Sequence, residues 1–97
     1  MQGLEITQVD SKNWKSEFLT FVDRGAIENG ITRRYEIFTK DAALGCVMWK
    51  AGWRRYTFRP NEATEYDFSC LTIIAEFCKI RTDERKAKWG QQGRVAT

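Results

Sequence analysis

Between residues 49 and 59 the chain interleaves rings and cations, with Trp49, Lys50, Trp53, Arg54, Arg55, Tyr56, Phe58 and Arg59 in close succession. An aromatic ring stacks on the face of a base, and a guanidinium fork holds two phosphate oxygens through paired hydrogen bonds. The segment therefore suits a nucleotide or a single-stranded nucleic acid. Lys50, Trp53, Arg54, Arg55 and Arg59 are the candidate ligand-binding residues. Trp49, Tyr56 and Phe58 read as core, because alternation along a strand puts them on the apolar side.

A second basic stretch lies toward the C-terminus, where Arg81, Arg85, Lys86 and Lys88 could contact phosphates beside Trp89 as a stacking platform. The same cations also suit the end of a helix, whose dipole favours positive charge there. From Lys79 onward the charges are Lys79, Arg81, Arg85, Lys86, Lys88 and Arg94 against Asp83 and Glu84, a net +4. Since the whole chain carries +3, residues 1 to 78 carry −1, and the basic excess reads as a C-terminal property.

The chain has no histidine, which removes the commonest general base, the commonest metal ligand and every nucleophile–histidine pair. Glu62, Glu65 and Asp67 form an acidic run that reads as loop and helix cap rather than as a metal site. Cys46, Cys70 and Cys78 are an odd set without C-x-x-C spacing, so they imply reduced, partly buried thiols. Neither a phosphate-cradling glycine loop nor a nucleophile elbow is present. No catalytic residue, cofactor or metal is expected, and the chain does not read as an enzyme.

These side chains must be positioned by short elements. Residues 4–9 alternate apolar and polar as a strand does, and Asp10, Ser11 and Asn13 mark a turn, with a helical turn near Trp14 as an option. Residues 18–22 form a second strand, bounded by Asp23, Arg24 and Gly25. Asn29 and Gly30 supply a reversing turn into a third strand over residues 31–39. Residues 44–50 and 53–59 then flank Ala51 and Gly52 as a hairpin, which sets Trp49 opposite Arg54 and Val47 opposite Tyr56. Val47, Trp49, Tyr56 and Phe58 share its apolar face, while Met48, Lys50, Trp53, Arg55, Thr57 and Arg59 share the other.

Pro60 closes the last strand, and Asp67 or Ser69 caps a helix whose apolar stripe includes Leu71, Ile74, Ala75, Phe77, Cys78 and Ile80. The expected fold is α+β: an antiparallel meander of four to five strands packed by one C-terminal α-helix. With 97 residues there is material for one core, so residues 1–89 read as a single domain and residues 90–97, with Gly90 and Gly93, as a flexible tail. No apolar run is long enough to cross a membrane and no signal sequence is visible, which implies a cytoplasmic protein. Uncovered strand edges leave homo-oligomerisation open.

Three patterns occur in order: G-x-V-x-W at Gly45, Val47 and Trp49; W-R-x-Y-x-F-x-P from Trp53 to Pro60; and C-L-x-x-I-A-x-F from Cys70 to Phe77. Over residues 17 to 80 the chain resembles a family of short phage and prophage proteins of uncharacterised function. The resemblance brings no catalytic motif. It implies a cytoplasmic protein in the host cell that acts by occupying something, as an anti-defence inhibitor that sequesters or blocks a nucleotide or a nucleic-acid-linked component of host immunity. A protein–protein inhibitor or adaptor of a host defence protein, and a replication accessory that binds single-stranded DNA, are the alternatives.

Overall fold

The computed structural model describes residues 5–27 and 32–93, with side chains as far as residue 88. Six strands precede one helix: β1 (Thr7–Asp10), β2 (Asn13–Ser16), β3 (Leu19–Ala26), β4 (Arg33–Phe38), β5 (Ala43–Lys50), β6 (Arg55–Pro60) and α1 (Phe68–Gly93). Each strand pairs antiparallel with the next, so the sheet is a meander in chain order. The α+β class, the meander and the single C-terminal helix match the reading of the sequence. The strand count does not, being six instead of four to five.

The additional strand is β2. Only Trp14 among its four residues is a large apolar side chain, and turn formers precede it, so alternation gives almost no local signal. Pairing with β3 fixes it, setting Trp14 opposite Phe21 and Ser16 opposite Leu19 on one face. β1 is exposed along its whole length rather than half-buried. β3 continues past Asp23, where Gly25 at φ 103° sits in an irregularity between Asp23 and Ala26 that lets the strand resume its pairing. The turn expected at Asn29 and Gly30 lies outside the described residues.

One face of the sheet carries Trp14, Leu19, Phe21, Tyr35, Ile37, Val47, Trp49 and Tyr56, all buried. The helix supplies Ile73, Ile74 and Phe77 against them. Phe77 is the anchor: its ring stacks on Phe21 at 4.2 Å and meets Tyr35 edge-on at 5.1 Å and Trp14 at 5.8 Å. Such ring pairs add about 0.5–1.5 kcal/mol each beyond the area they bury. The helix starts where Asp67 accepts the Cys70 backbone N–H through Oδ1 at 2.8 Å, so of the two candidate caps Asp67 is the one used.

The phase of the helix differs from the expected stripe. Cys70, Ile73, Ile74, Phe77 and Thr82 face inward, whereas Leu71 is 49% exposed and Ala75 also faces solvent. Apolar residues at 70–71, 73–75 and 77–78 surround so much of the helix that several rotations satisfy the periodicity, and the fit of Phe77 among three rings selects one. The helix also runs on through Gly90 to Gly93, where composition suggested the tail had begun.

The hairpin register differs from expectation as well. Trp49 pairs with Tyr56, Val47 with Phe58 and Lys50 with Arg55, leaving a four-residue loop over residues 51–54 instead of the two-residue loop Ala51–Gly52. Arg54, at φ 57°, closes this loop with its backbone N–H donating to Lys50 O at 2.8 Å. A register change of two residues preserves facing, because side chains alternate with period two. The predicted apolar face therefore survives the change.

Candidate functional site

The helix covers one side of the sheet, and among the described residues no element covers the opposite, open side. Alternation from the buried residues assigns Asn13 and Lys15 of β2, Thr20, Val22 and Arg24 of β3, Arg34, Glu36 and Phe38 of β4, and Cys46, Met48 and Lys50 of β5 to that open side. Arg55, Thr57 and Arg59 of β6 complete it. The pairing aligns Asn13, Val22, Glu36, Cys46 and Arg59 as one row across five strands. Neighbouring strands lie about 4.8 Å apart, so the row spans about 19 Å.

Six cations occupy this face, Lys15, Arg24, Arg34, Lys50, Arg55 and Arg59, against two carboxylates among the described residues: Glu36, and Asp10 of β1, which pairs with Asn13 and accepts from its Nδ2 at 2.8 Å. Arg24 donates through Nε to Glu36 Oε1 at 2.6 Å, and Arg34 Nη2 lies 3.9 Å from Oε2. The Arg24 guanidinium also sits 5.7 Å from the Phe38 ring centroid. Among the described residues, Lys15, Lys50, Arg55 and Arg59 form no ion pair. A surface with this charge balance attracts anions and accelerates their encounter.

Trp53 stands in the hairpin loop at the end of the face, 61% exposed, with Lys50 Nζ 5.2 Å from its ring centroid. Arg55 Nε donates to Trp53 O at 3.3 Å and tethers the loop to the edge strand. The predicted residues thus divide: Lys50, Arg55 and Arg59 lie on the open face, whereas Trp53 and Arg54 belong to the loop rather than to a strand. Trp49 and Tyr56 are core, as expected. Lys15, Arg24 and Arg34 join the face from β2, β3 and β4, and the sequence reading did not select them because no local run of charge marks them.

The C-terminal basic segment is also divided. Arg81, Arg85 and Lys88 border a cavity of about 60 Å³ shared with Arg33, Tyr35 and Tyr56. Lys86 faces a different groove of about 420 Å³ between α1 and β6, lined also by Arg55, Cys78, Lys79 and Asp83. Trp89 belongs to the helix, and its side chain lies outside the described set. Thr82 Oγ1 accepts the Tyr56 backbone N–H at 2.9 Å, which occupies one donor on the edge of β6.

The thiols are free, with Cys70 buried and Cys46 and Cys78 half-buried. Burial pushes the Cys78 thiol up to about 11 and also raises Cys70, so neither is disposed to act as a thiolate nucleophile. Burial likewise pushes the Tyr35 phenol up to about 12, opposed in part by Arg81, which hydrogen-bonds to it. No helix among the described residues is long and apolar enough to cross a membrane.

No protein family, curated protein or solved structure matches the chain.

Proposed function

We propose that the chain is a non-enzymatic binding protein for a phosphate-bearing polymer, a single-stranded nucleic acid, held on the open face of the sheet. One observation carries this reading: six cations share that face with two carboxylates, Glu36 and Asp10, among the described residues, and an exposed tryptophan stands beside it. A face about 19 Å across is wider than a mononucleotide and accommodates several phosphates in succession. Arginine and lysine contacts to phosphate would give affinity without sequence preference, and Trp53 would add stacking on one base.

In the host cell of a phage, such a protein acts by occupancy, blocking a nucleic-acid-linked component of host immunity or covering single strands during replication. Both roles need only binding. The test is fluorescence anisotropy with a labelled single-stranded oligonucleotide over a range of salt concentrations. Engagement of four to six of the cations predicts a slope of log K against log salt of about −3 to −4. A slope near zero, or no binding at low salt, sinks the proposal.

A second reading, block of a host protein, is favoured by Phe18, Phe68 and Leu71, which are 49%, 75% and 49% exposed. Phe18 also borders a groove with Glu65, Tyr66, Asp67 and Cys70. An apolar–acidic surface of this kind suits a protein partner or a second copy of the chain. Sedimentation at rising concentration distinguishes the second copy, since self-association through this groove is lost in Phe18→Ser.

A further inference from the structure

We propose that the cavity between the start of β4 and the C-terminal half of α1 is a binding site for one phosphomonoester dianion, separate from the open face and independent of the function proposed for it. Arg33 reaches it from the sheet, and Arg81, Arg85 and Lys88 reach it from the helix, with Tyr35 and Tyr56 on the floor. The helical three recur at spacings of four and three residues, which places them on one side of α1. Arg33 comes from another element altogether. Convergence of four cations on one small space is a property of the packing rather than of local composition.

The charge and size of the space both select the ligand. Glu84 also lines the cavity and lies 3.3 Å from Arg81 Nη1, and Asp23 Oδ2 accepts from Arg33 Nε at 2.7 Å. The formal charges of these four cations and two carboxylates sum to +2. A phosphomonoester carries about −1.5 to −2 at neutral pH and offers three acceptor oxygens, so it balances that excess. About 60 Å³ is several times the roughly 10–15 Å³ that one water requires, which suits a phosphate group and is too small for a nucleoside.

The donors are also held in place. Arg81 is only 11% exposed in its side chain, and its guanidinium lies 5.0 Å from the Trp14 ring centroid and 5.4 Å from that of Phe77. Its Nε is buried and has no hydrogen-bond partner among the described residues. A buried charged donor left without an acceptor is costly, and an oxyanion seated in the cavity is the acceptor this group lacks. The Tyr56 hydroxyl is fixed by accepting the Arg33 backbone N–H at 3.2 Å. A guanidinium packed against two rings loses little further freedom on binding, which favours a fixed anion over a diffuse ion cloud.

Two sources offer the same chemistry: a free phosphate or small phosphomonoester, and the phosphorylated end of a nucleic acid strand. The experiment is isothermal titration calorimetry of the full chain with inorganic phosphate at constant ionic strength, followed by 5′-phosphorylated and 5′-hydroxyl forms of one oligonucleotide. Saturable phosphate binding is expected, weakened about tenfold by Lys88→Gln and further by Arg85→Gln with Lys88→Gln. Lys12→Gln with Lys40→Gln, which removes equal charge from two exposed turns, should leave it unchanged. Circular dichroism melting confirms that each variant folds, and the exposed position of Lys88 keeps that single variant informative should Arg85→Gln fail to fold.

Tighter binding of the 5′-phosphorylated oligonucleotide identifies a strand end as the source. Equal affinity for the two oligonucleotides, with phosphate binding intact, identifies a free phosphomonoester. Absence of saturable phosphate binding in the folded wild-type chain, or binding that survives Arg85→Gln with Lys88→Gln, overturns the site. Because inorganic phosphate cannot bridge the open face, either result is separable from loss of oligonucleotide binding there.

Discussion

The open face of the sheet and the cavity beside α1 are both cationic, yet they are built in opposite ways. On the open face the cations are spread over five strands and are restrained by little more than Glu36 and the Trp53 ring. At the cavity they converge from two elements onto a small volume, and Arg81 packs against both Trp14 and Phe77. The first arrangement suits an extended polyanion bound through many weak, screened contacts. The second suits one small anion bound through a few fixed hydrogen bonds. Distribution and restraint, more than the number of charges, separate the two.

The strongest way to break this contrast is to detach the helix. Phe77→Ala should cost about 3–5 kcal/mol in urea denaturation, because Phe77 is 1% exposed and contacts three rings. It should abolish the cavity, whose helical wall moves with it. An undiminished stability would mean that α1 does not dock through this residue.

Next in size is Gly45→Ala. A Cβ there meets the Arg59 backbone oxygen, and φ at 155° is poorly tolerated by other residues. A loss of about 2–3 kcal/mol is expected, with β6 shifted away from β5 and Arg59 displaced from its row. Measured stability within the wild-type error would show that the β5–β6 approach relaxes freely.

Trp53→Ala sharpens the comparison from the other side. The residue is largely exposed, so stability should change by no more than about 0.5 kcal/mol, whereas oligonucleotide affinity should fall by about 1–3 kcal/mol if a base stacks on it. Lys50→Gln with Arg59→Gln should be equally silent in stability and should flatten the salt slope by about 1.4, or about 0.7 for each phosphate that is no longer neutralised. Unchanged anisotropy in both variants would remove the hairpin from the site.

The last effect is read only at alkaline pH. The Tyr35 phenol is raised to about 12 and the Cys78 thiol to about 11, in each case chiefly by burial. A raised folded-state value means the neutral form is favoured in the folded chain. The associated stability is complete below the unfolded values near 10 and 9, and is lost as pH rises through 12 and 11. The urea midpoint should therefore decline above about pH 9, and Tyr35→Phe should flatten the part of that decline above about pH 10.

Much of the architecture was legible because its signals are local. Tyr35 and Ile37 alternate with polar neighbours over β4, Asp67 precedes an apolar helical run, and Pro60 ends β6. The placement of Lys50, Arg55 and Arg59 opposite the core followed from the same alternation. It held even though the hairpin register differs by two residues, since facing depends only on parity. β2 was not legible, because a four-residue strand with one large apolar side chain is defined by its partner. The phase of α1 was not legible either, because apolar residues surround most of its first three turns.

Charge shows the limit most clearly. Along the chain, residues 1 to 78 carry a net −1, and their one evident basic run is residues 50–59. In the fold, β2 to β6 place six cations and one acid on a single side, with Asp10 of β1 at its far edge, while Glu17, Asp41 and Glu62 lie in turns and connections. Arg33 stands 48 positions before Arg81, yet both border one cavity. The sequence by itself determined most of the element types, the apolar faces of β4, β5 and β6 and the absence of histidine, because these depend on residue identity and short-range period. Register, helix rotation and the grouping of charges belonged to the tertiary structure alone, because each is decided by which distant surfaces pack together.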